Sequence, residues 1–232
     1  MLTLLTYRKG FGQFSLSPFC VKAAYLLQQS GQPWQRHDLS DPRKMPHGKL
    51  PVLKTDARLV ADSDAIRLWL HEKGVDFDPG LSDIQKGQAQ AVIRMVEEHL
   101  YFHLVMDRWG NDAVWPTIRE TLFKDIPGLL RKPVANSLRR NLTKGLTTQG
   151  IARFSEQERM VRLDRDLHAI GSLLHEAPFL FGDLPTSADF SVAPILAAMR
   201  STPVQTQVTR RVNDDLVLTG YLDRVDQTVP LP

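Results

Sequence analysis

The chain has 232 residues, of which 42% are hydrophobic and 24% charged, a balance typical of a folded protein with one large domain or two small ones. A net charge of +3 is too small to indicate nucleic-acid binding. The apolar run in MLTLLTYRKG is too short for a secretory signal, and no stretch is long enough to suggest a membrane span. The single cysteine, Cys20, cannot form an intrachain disulfide, so we expect the reducing environment of the cytoplasm. From the charge and the apolar runs we expect neither a nucleic acid nor a membrane as partner.

The first third of the chain reads as a compact α/β unit. LTLLTY predicts a strand, and Pro18 stands where the first turn of a helix begins, a position that tolerates its missing N–H. Gly31 is placed to end that helix. PWQRHDL predicts a second strand, LPVLKT and ARLVAD predict a hairpin, and Ser63 is placed to cap a helix that runs to about Lys73. This order of elements predicts a mixed sheet.

The rest of the chain reads as helical. GVDFDPGLSD, with its proline, glycines and aspartates, is typical of a linker. Sequence pattern predicts one long helix from Ile84 to about Trp109, two capping boxes at Ser155/Glu158 and Thr186/Asp189, and a last helix over about 213–226. The predicted division is therefore an α/β domain over 1–74, a linker over 75–83 and an all-helical domain over 84–232.

One region is unusually basic. Between Pro116 and Arg153 there are eight basic residues against Glu120 and Asp125, which suggests a surface for an anion or a partner. Prolines and glycines interrupt the same span, however, and no aromatic residues alternate with the charges as base stacking requires. The favoured interpretation is a solvated, partly mobile connection.

Four short motifs in order carry a family resemblance: SPFC at the first helix, then GKLPVL, ADSDAI and, late in the chain, PTSADF. Together they resemble glutathione transferases over nearly the whole chain, most weakly between about Asn111 and Arg153. The resemblance implies a thioredoxin-like domain followed by an all-α helical bundle. SPFC and HLYFHLVMDRW further resemble the branch that contains metaxins and failed-axon-connection proteins.

The resemblance implies where glutathione binds. Pro51 would be a cis residue that leaves the backbone of Leu50 free to pair with the peptide, in the manner of an added strand. Asp62 and Ser63 would grip the γ-glutamyl carboxylate at a helix N-terminus, although simple helix capping is the ordinary role of such a serine. Lys49 is the candidate partner for the glycyl carboxylate, with Lys44 and Arg43 as rivals in the same loop.

The resemblance also places the thiol chemistry at the first helix. Only a thiolate attacks electrophiles well, and a hydroxyl at a helix N-terminus favours the anion. Ser17 occupies the position of that hydroxyl; Ser15 is the second candidate, and Tyr7, at the end of the first strand, is the third. Cys20 stands in the second-cysteine position of a C-x-x-C pattern, where a small buried apolar residue is the more common outcome than a reactive thiol.

The long helix offers candidates for an electrophile-binding cleft, although core packing explains the same residues equally well: Tyr101, His103, Met106 and Trp109. Glu98, His99 and His103 have the spacing of zinc ligands, but their order is not H-E-x-x-H and no third ligand is evident, so no metal is expected.

The implied function is a homodimeric, detoxifying glutathione transferase in which Ser17 activates the thiol for attack on a small hydrophobic electrophile. Two alternatives remain open at this point. One is a non-catalytic binding or interaction protein of the metaxin kind, because a fold does not fix a function. The other is a glutathione-dependent thiol transferase that uses Cys20.

Overall fold

A computed structural model describes all of residues 1–232. The N-terminal part of the chain contains a four-stranded mixed sheet. The strands are β1 (Leu2–Thr6), β2 (Trp34–Asp38), β3 (Val52–Lys54) and β4 (Leu59–Ala61), in the order β2-β1-β3-β4. β1 is parallel to β2 and antiparallel to β3, and β3 and β4 form the predicted hairpin. Two short 3-10 turns, Pro42–Lys44 and Pro46–Gly48, fill the connection from β2 to β3.

Two helices belong to this unit, α1 (Pro18–Gln29) and α2 (Ser63–Glu72). Pro18 lies in the first turn of α1, and Gly31 follows the helix with a φ of 68°, as predicted. The prediction that Ser63 caps α2 was wrong. The cap is Asp62, whose carboxylate accepts hydrogen bonds from the N–H groups of Asp64 and Ala65, so Ser63 is the first helical residue.

The long helix of the second half runs through residues 83–110 but is not a regular α-helix. It consists of α3 (Asp83–Met95), a π turn (Val96–Leu100), α4 (Tyr101–Val105) and a second π turn (Met106–Gly110). Its N-terminus has a complete capping box between Ser82 and Gln85, which the sequence analysis did not identify. Each π turn inserts extra residues into the helical repeat, so side chains beyond it face a different direction from the one a 3.6-residue period predicts.

The basic span of 116–153 is not an irregular connection. It forms α5 (Trp115–Leu122), α6 (Gly128–Gln149) and a 3-10 turn (Ile151–Arg153). Pro116 lies in the first turn of α5 and Pro127 caps α6, two positions where proline does not break a helix. Gly150, with a φ of 114°, ends α6. The residues that suggested a loop are largely helix boundaries, and Pro133 is accommodated inside α6.

The remaining helices are α7 (Glu156–Leu174), α8 (Asp189–Arg200), α9 (Gln207–Asn213) and α10 (Leu216–Thr228). The capping box of Ser155 and Glu158 is confirmed. Asp189 bonds back to the Thr186 N–H and hydroxyl, but it begins α8 itself. The final helix predicted over about 213–226 is α10, which begins at Leu216 because the Asp215 side chain caps it; the short helix α9 before it was not predicted.

The two halves share one hydrophobic core of 39 buried residues. Tyr25 of α1 stacks on Phe190 of α8 with ring centroids 6.0 Å apart, and Phe77, from the predicted linker, meets the same ring edge-on at 6.3 Å. None of the helices combines the length and the apolar character needed to cross a membrane.

Candidate functional site

The loop between β1 and α1 is held in place by Arg36 of β2. Its guanidinium donates to the carbonyl oxygens of Phe14 and Tyr7 and lies 4.3 Å from the centre of the Phe14 ring. At the loop tip, Phe11 and Gly12 have φ values of 52° and 71°, the conformation of a tight turn closed between Gly10 and Gln13. These contacts fix the conformation of the loop that leads to Ser17.

Ser15 serves this loop and not a ligand. Its buried hydroxyl donates to the Tyr7 carbonyl oxygen at 2.9 Å and accepts from Thr6 Oγ1 at 3.1 Å and from the Ser17 N–H at 3.3 Å. Because this hydroxyl is buried and bonded within the loop, Ser15 is a weaker candidate than Ser17 for contact with the thiol of a bound ligand.

Ser17 is the residue immediately before α1 and is half-buried. Its hydroxyl makes no capping hydrogen bond, unlike most serines in this position, while its carbonyl oxygen accepts from the N–H groups of Cys20 and Val21. A hydroxyl not used for capping, next to the positive end of a helix, is free to donate to an anionic sulfur.

Cys20 is fully buried, which confirms the expectation of a small core residue. Burial raises the pKa of its thiol, although the hydroxyls of Thr6, Ser17 and Ser15 and the Tyr7 backbone act in the opposite direction. A thiol with a raised pKa and no exposed surface is a poor nucleophile.

Tyr7 packs with Cys20 and Leu50. Burial, with smaller contributions from Cys20, Tyr101 and Asp41, raises the pKa of Tyr7 to about 12. Its hydroxyl is therefore protonated at neutral pH and is a weaker acid than an ordinary tyrosine. A protonated hydroxyl can donate a hydrogen bond but cannot act as a base.

The GKLPVL motif has the backbone conformation that the family resemblance implies. The Leu50–Pro51 bond is cis, and neither the N–H nor the C=O of Leu50 takes part in a backbone hydrogen bond. The pairs Leu5–Val52 and Val52–Ala61 fix the strand register. Beyond these pairs Tyr7 packs with Leu50, and the Asp62 N–H donates to the Pro51 carbonyl oxygen, so Tyr7, Leu50 and the start of α2 lie at the same end of the sheet.

The start of α2 supplies an anion site of limited size. The Ser63 N–H has no backbone partner, and the residue is buried. Asp62 occupies the next two N–H groups with its own carboxylate and has a φ of 84°, a conformation that is rare and strained for a non-glycine residue. A ligand carboxylate therefore has the Ser63 N–H and hydroxyl available, while the Asp62 carboxylate beside it suits an ammonium group.

Lys49 is exposed and has no acidic partner within salt-bridge distance, whereas Arg43 is engaged by Asp41 at 2.6 Å. Of the rivals for a glycyl carboxylate, this leaves Lys49 and Lys44 with free charges, and Lys49 is directly next to Leu50.

The sequence analysis missed an ionic cluster behind Ser63. Lys22 of α1 is buried, and its Nζ lies 2.6 Å from Glu97 Oε1 and 3.3 Å from Asp64 Oδ1. Two arginines also form salt bridges with Asp64: Arg94 at 2.6 Å and Arg67 at 3.2 Å. Burial alone would raise the pKa of Asp64, but these cations outweigh it and lower that pKa to about 2. The sequence did contain a signal for this cluster, since Lys22 stands among the apolar residues of the first helix.

The four cleft candidates separate into two groups. Tyr101 lies edge-on to Phe19 of α1 at 4.8 Å, and Trp109 packs against the same hydrophobic cluster as Phe11 of the β1–α1 loop. His103 and Met106 instead line a cavity of about 230 Å³ between the long helix and α7. Burial, followed by His99 and two arginines, lowers the pKa of His103 to about 3.

Arg108 is a further residue that sequence reasoning did not single out. Its buried guanidinium lies 5.3 Å from the centre of the Phe11 ring and donates to the Ala198 carbonyl and, at 3.2 Å, to the Thr202 hydroxyl. It links the loop tip to α8, so a buried cation lies beside the aromatic ring of Phe11.

Of the two histidines with zinc-ligand spacing, His99 is engaged by other side chains, whereas the buried Nε2 of His103 has no hydrogen-bond partner. His99 Nδ1 lies 2.5 Å from Asp166 Oδ2, and its Nε2 lies 3.3 Å from Arg162. No group of three His, Cys, Asp or Glu side chains is arranged to hold a metal ion.

A mixed four-stranded sheet with a cis proline, followed by a helical bundle, defines the thioredoxin-like class with a helical C-terminal domain. Residues 18–115 match the glutathione S-transferase N-terminal domain, and residues 154–224 match the glutathione S-transferase C-terminal domain. The chain belongs to the glutathione S-transferase family, in a branch with metaxin-like members.

Relatives and solved structures agree with this assignment. The chain is 30% identical to the isoprene-epoxide–glutathione S-transferase of Rhodococcus sp. (strain AD45), over 97% of this chain and 98% of that protein. It is 27% identical to failed axon connections of Drosophila melanogaster, over 80% of this chain and 47% of that protein. In fold it resembles the glutathione transferase GSTFuA3 of Phanerochaete chrysosporium, with a TM-score of 0.67 at 17% identity, covering 97% of this chain and 95% of that one.

Proposed function

We propose that the protein is a glutathione transferase in which Ser17 stabilises the glutathione thiolate for attack on a small hydrophobic electrophile. The observation that carries this proposal is the gathering of unused polar groups at one sheet edge. These are the Leu50 backbone and the Ser63 N–H, which have no backbone hydrogen-bond partner, and the Ser17 hydroxyl, which makes no capping hydrogen bond and lies beside the buried Cys20 sulfur.

Each of these groups has a role in the proposal. The Leu50 N–H and C=O pair with the glutathione peptide, Ser63 holds the γ-glutamyl carboxylate, Asp62 pairs with the neighbouring ammonium, and Lys49 meets the glycyl carboxylate. The thiol loses its proton to solvent, and the Ser17 hydroxyl donates a hydrogen bond to the resulting anion.

We take an epoxide as the first electrophile class to test, because the 30% identical Rhodococcus protein is named for an isoprene epoxide. The thiolate sulfur would form a bond to an epoxide carbon while the carbon–oxygen bond breaks, and the alkoxide would take a proton from water. Tyr101, Trp109 and Phe11 supply an apolar wall for such a substrate.

The competing functions make different demands. A thiol transferase needs an accessible sulfur, and Cys20 is fully buried. Replacing Cys20 by alanine should therefore leave conjugation intact. A non-catalytic binding protein, favoured by the similarity to failed axon connections, does not require the glutathione groups to be free.

The deciding experiment is calorimetric titration with glutathione, followed by conjugation assays with a small epoxide and an aryl halide. Saturable binding with conjugation supports the proposal. Binding without conjugation of either electrophile favours a non-catalytic glutathione-binding protein, and absence of binding removes glutathione from the function. A homodimeric, cytoplasmic enzyme of detoxification is the setting we propose with this activity.

A further inference from the structure

A cavity of about 230 Å³ lies between the long helix, α7 and α9, and shares no residue with the proposed glutathione site. Three of its nine lining residues are apolar: Met106, Met160 and Val208. The others include charged side chains from two helices. An engineered cavity of about 150 Å³ holds benzene, so this cavity has room for a ligand of about nine non-hydrogen atoms.

Charged side chains line this cavity without forming ion pairs. Asp107, on the second π turn of the long helix, is only 8% exposed, whereas Glu156 and Arg159 are on the first turns of α7. The salt bridges of α7 involve other residues, Asp164 and Asp166, and none of the three takes part in one. A cation and two carboxylates therefore line the same space without neutralising one another.

Hydrogen-bonding capacity remains unused on both walls. Asp107 Oδ2 accepts from the Thr206 hydroxyl at 3.0 Å, but Oδ1 has no partner. Arg159 donates from Nη1 to the Phe154 carbonyl oxygen and makes no other side-chain hydrogen bond. His103, which also lines the cavity, is 2% exposed, and its Nε2 is the one buried side-chain nitrogen or oxygen without a partner. Buried polar groups in proteins are normally satisfied, so this exception points to a partner from outside the chain.

The signs of the charges select the class of ligand. A simple cation would leave Arg159 unpaired, and a simple anion would be repelled by Asp107, which is mostly ionised at pH 7 because its pKa is about 6. The side chains are not arranged to hold a metal ion. A small zwitterion, with one ammonium and one carboxylate group, complements both charges. The three apolar lining residues suit a short hydrocarbon side chain on the same molecule.

We propose that this cavity binds a free α-amino acid with a small apolar side chain, its ammonium group on Asp107 and its carboxylate on Arg159. Glu156, which is exposed, adds a second negative charge near the ammonium group. The neutral imidazole of His103 supplies one further hydrogen bond. The inference does not depend on the proposed transferase activity, because the two sites have no residue in common.

Calorimetric titration of the full chain with L-alanine, L-valine and L-leucine tests the proposal. We expect saturable binding of one amino acid per chain. Isobutylamine and isovalerate are valine without its carboxylate and without its ammonium group, respectively. Each should bind at least about tenfold more weakly than valine, since each lacks one hydrogen-bonded charged group.

Two variants assign the two ends of the ligand. Asp107→Asn should weaken valine binding about 10- to 100-fold but not the binding of isovalerate, and Arg159→Gln should weaken valine binding similarly but not that of isobutylamine. Should Asp107→Asn not fold, Glu156→Gln tests the same end of the ligand with an expected loss of about two- to fivefold. Arg165→Gln is the matched control, because Arg165 is an exposed arginine of α7 that does not line the cavity.

The absence of binding by all three amino acids would overturn the proposal. So would a loss of valine affinity in Arg165→Gln as large as that in Arg159→Gln, or equal affinities of the wild type for valine and isobutylamine. Ser63→Ala separates this cavity from the proposed glutathione site. Unchanged valine binding in that variant supports the cavity, whereas its loss would place valine at the start of α2 and overturn the assignment.

Discussion

Lys22 of α1 and Glu97 of the first π turn form a buried ion pair, with Nζ and Oε1 2.6 Å apart. Each side chain comes from a different half of the molecule. Arg94 lies 3.7 Å from Glu97 and 2.6 Å from Asp64, so the pair is continuous with the start of α2 and therefore with Ser63. The ionic cluster joins the start of α2, where we propose that glutathione binds, to the helical domain.

Removal of one partner of this pair should be far more harmful than removal of both. Glu97→Ala leaves the Lys22 ammonium buried beside Asp64 alone, and breaking such a pair costs about 3–5 kcal/mol. The double variant Lys22→Met/Glu97→Leu fills the same space without charge and should recover most of that loss. Urea unfolding of the three proteins measures the difference; equal instability of the single and double variants would contradict a dominant desolvation cost.

Ser17→Ala should lower kcat/KM for conjugation by about 10- to 100-fold, the range of a hydrogen bond to a charged group. The dissociation constant for glutathione should change little, because the peptide contacts remain. The thiolate absorbance of bound glutathione, followed against pH, should shift to a higher pKa. Tyr7→Phe is the matched control: if it moves that pKa and Ser17→Ala does not, the thiol is activated by Tyr7.

The sheet and the N-terminus of α1 could be predicted from the sequence because each depends on local chemistry, whereas the cis state of Pro51 was expected only from the family resemblance. Pro18 starts a helix, the hairpin alternates in its apolar pattern, and the family resemblance supplied the isomer of Pro51. The cap of α2 was assigned to Ser63, but by residue type Asp62 can cap a helix as well. The positive φ of Asp62 decides in favour of Asp62, and that φ depends on the strand before it.

Other features depend on contacts between distant residues. Lys22 and Glu97 are separated by 75 positions, and no local pattern pairs them. The directions of His103 and Met106 follow from π turns, which leave little trace in hydrophobic periodicity. The helices of the basic span were missed because proline and glycine were taken as breaks, when several of them begin or end helices.

The separate roles proposed for Asp62 and Ser63 can be tested by measuring glutathione binding, without an activity assay. Ser63→Ala should weaken glutathione binding about tenfold, since it removes a hydrogen bond to a carboxylate. Asp62→Asn keeps a cap and tolerates a positive φ, so the fold should be retained. If Asp62 pairs with the ammonium group, this variant should weaken glutathione binding but not binding of the desamino analogue. Tighter binding of both ligands would show that Asp62 merely repels the carboxylate.

Asp107, buried beside Thr206, should make the stability of the protein depend on pH in an unusual direction. Burial raises the pKa of Asp107 to about 6, against the lowering effects of its hydrogen bond from Thr206 and of Arg108 and Arg159, while Glu156 adds to the rise. Between about pH 4 and pH 6 the native state therefore holds a proton that the unfolded chain has released. Its contribution is greatest below pH 4 and is lost as the pH rises through 6.

Asp107→Asn removes this titration while keeping an acceptor for the Thr206 hydroxyl. Relative to the wild type, the variant should gain about 2–3 kcal/mol of unfolding free energy on going from pH 4 to pH 7, which follows from a raised pKa at about 1.4 kcal/mol per unit. Urea unfolding at several pH values gives the two curves. Parallel curves would mean that Asp107 is ionised throughout, with Arg108 and Arg159 compensating its burial completely.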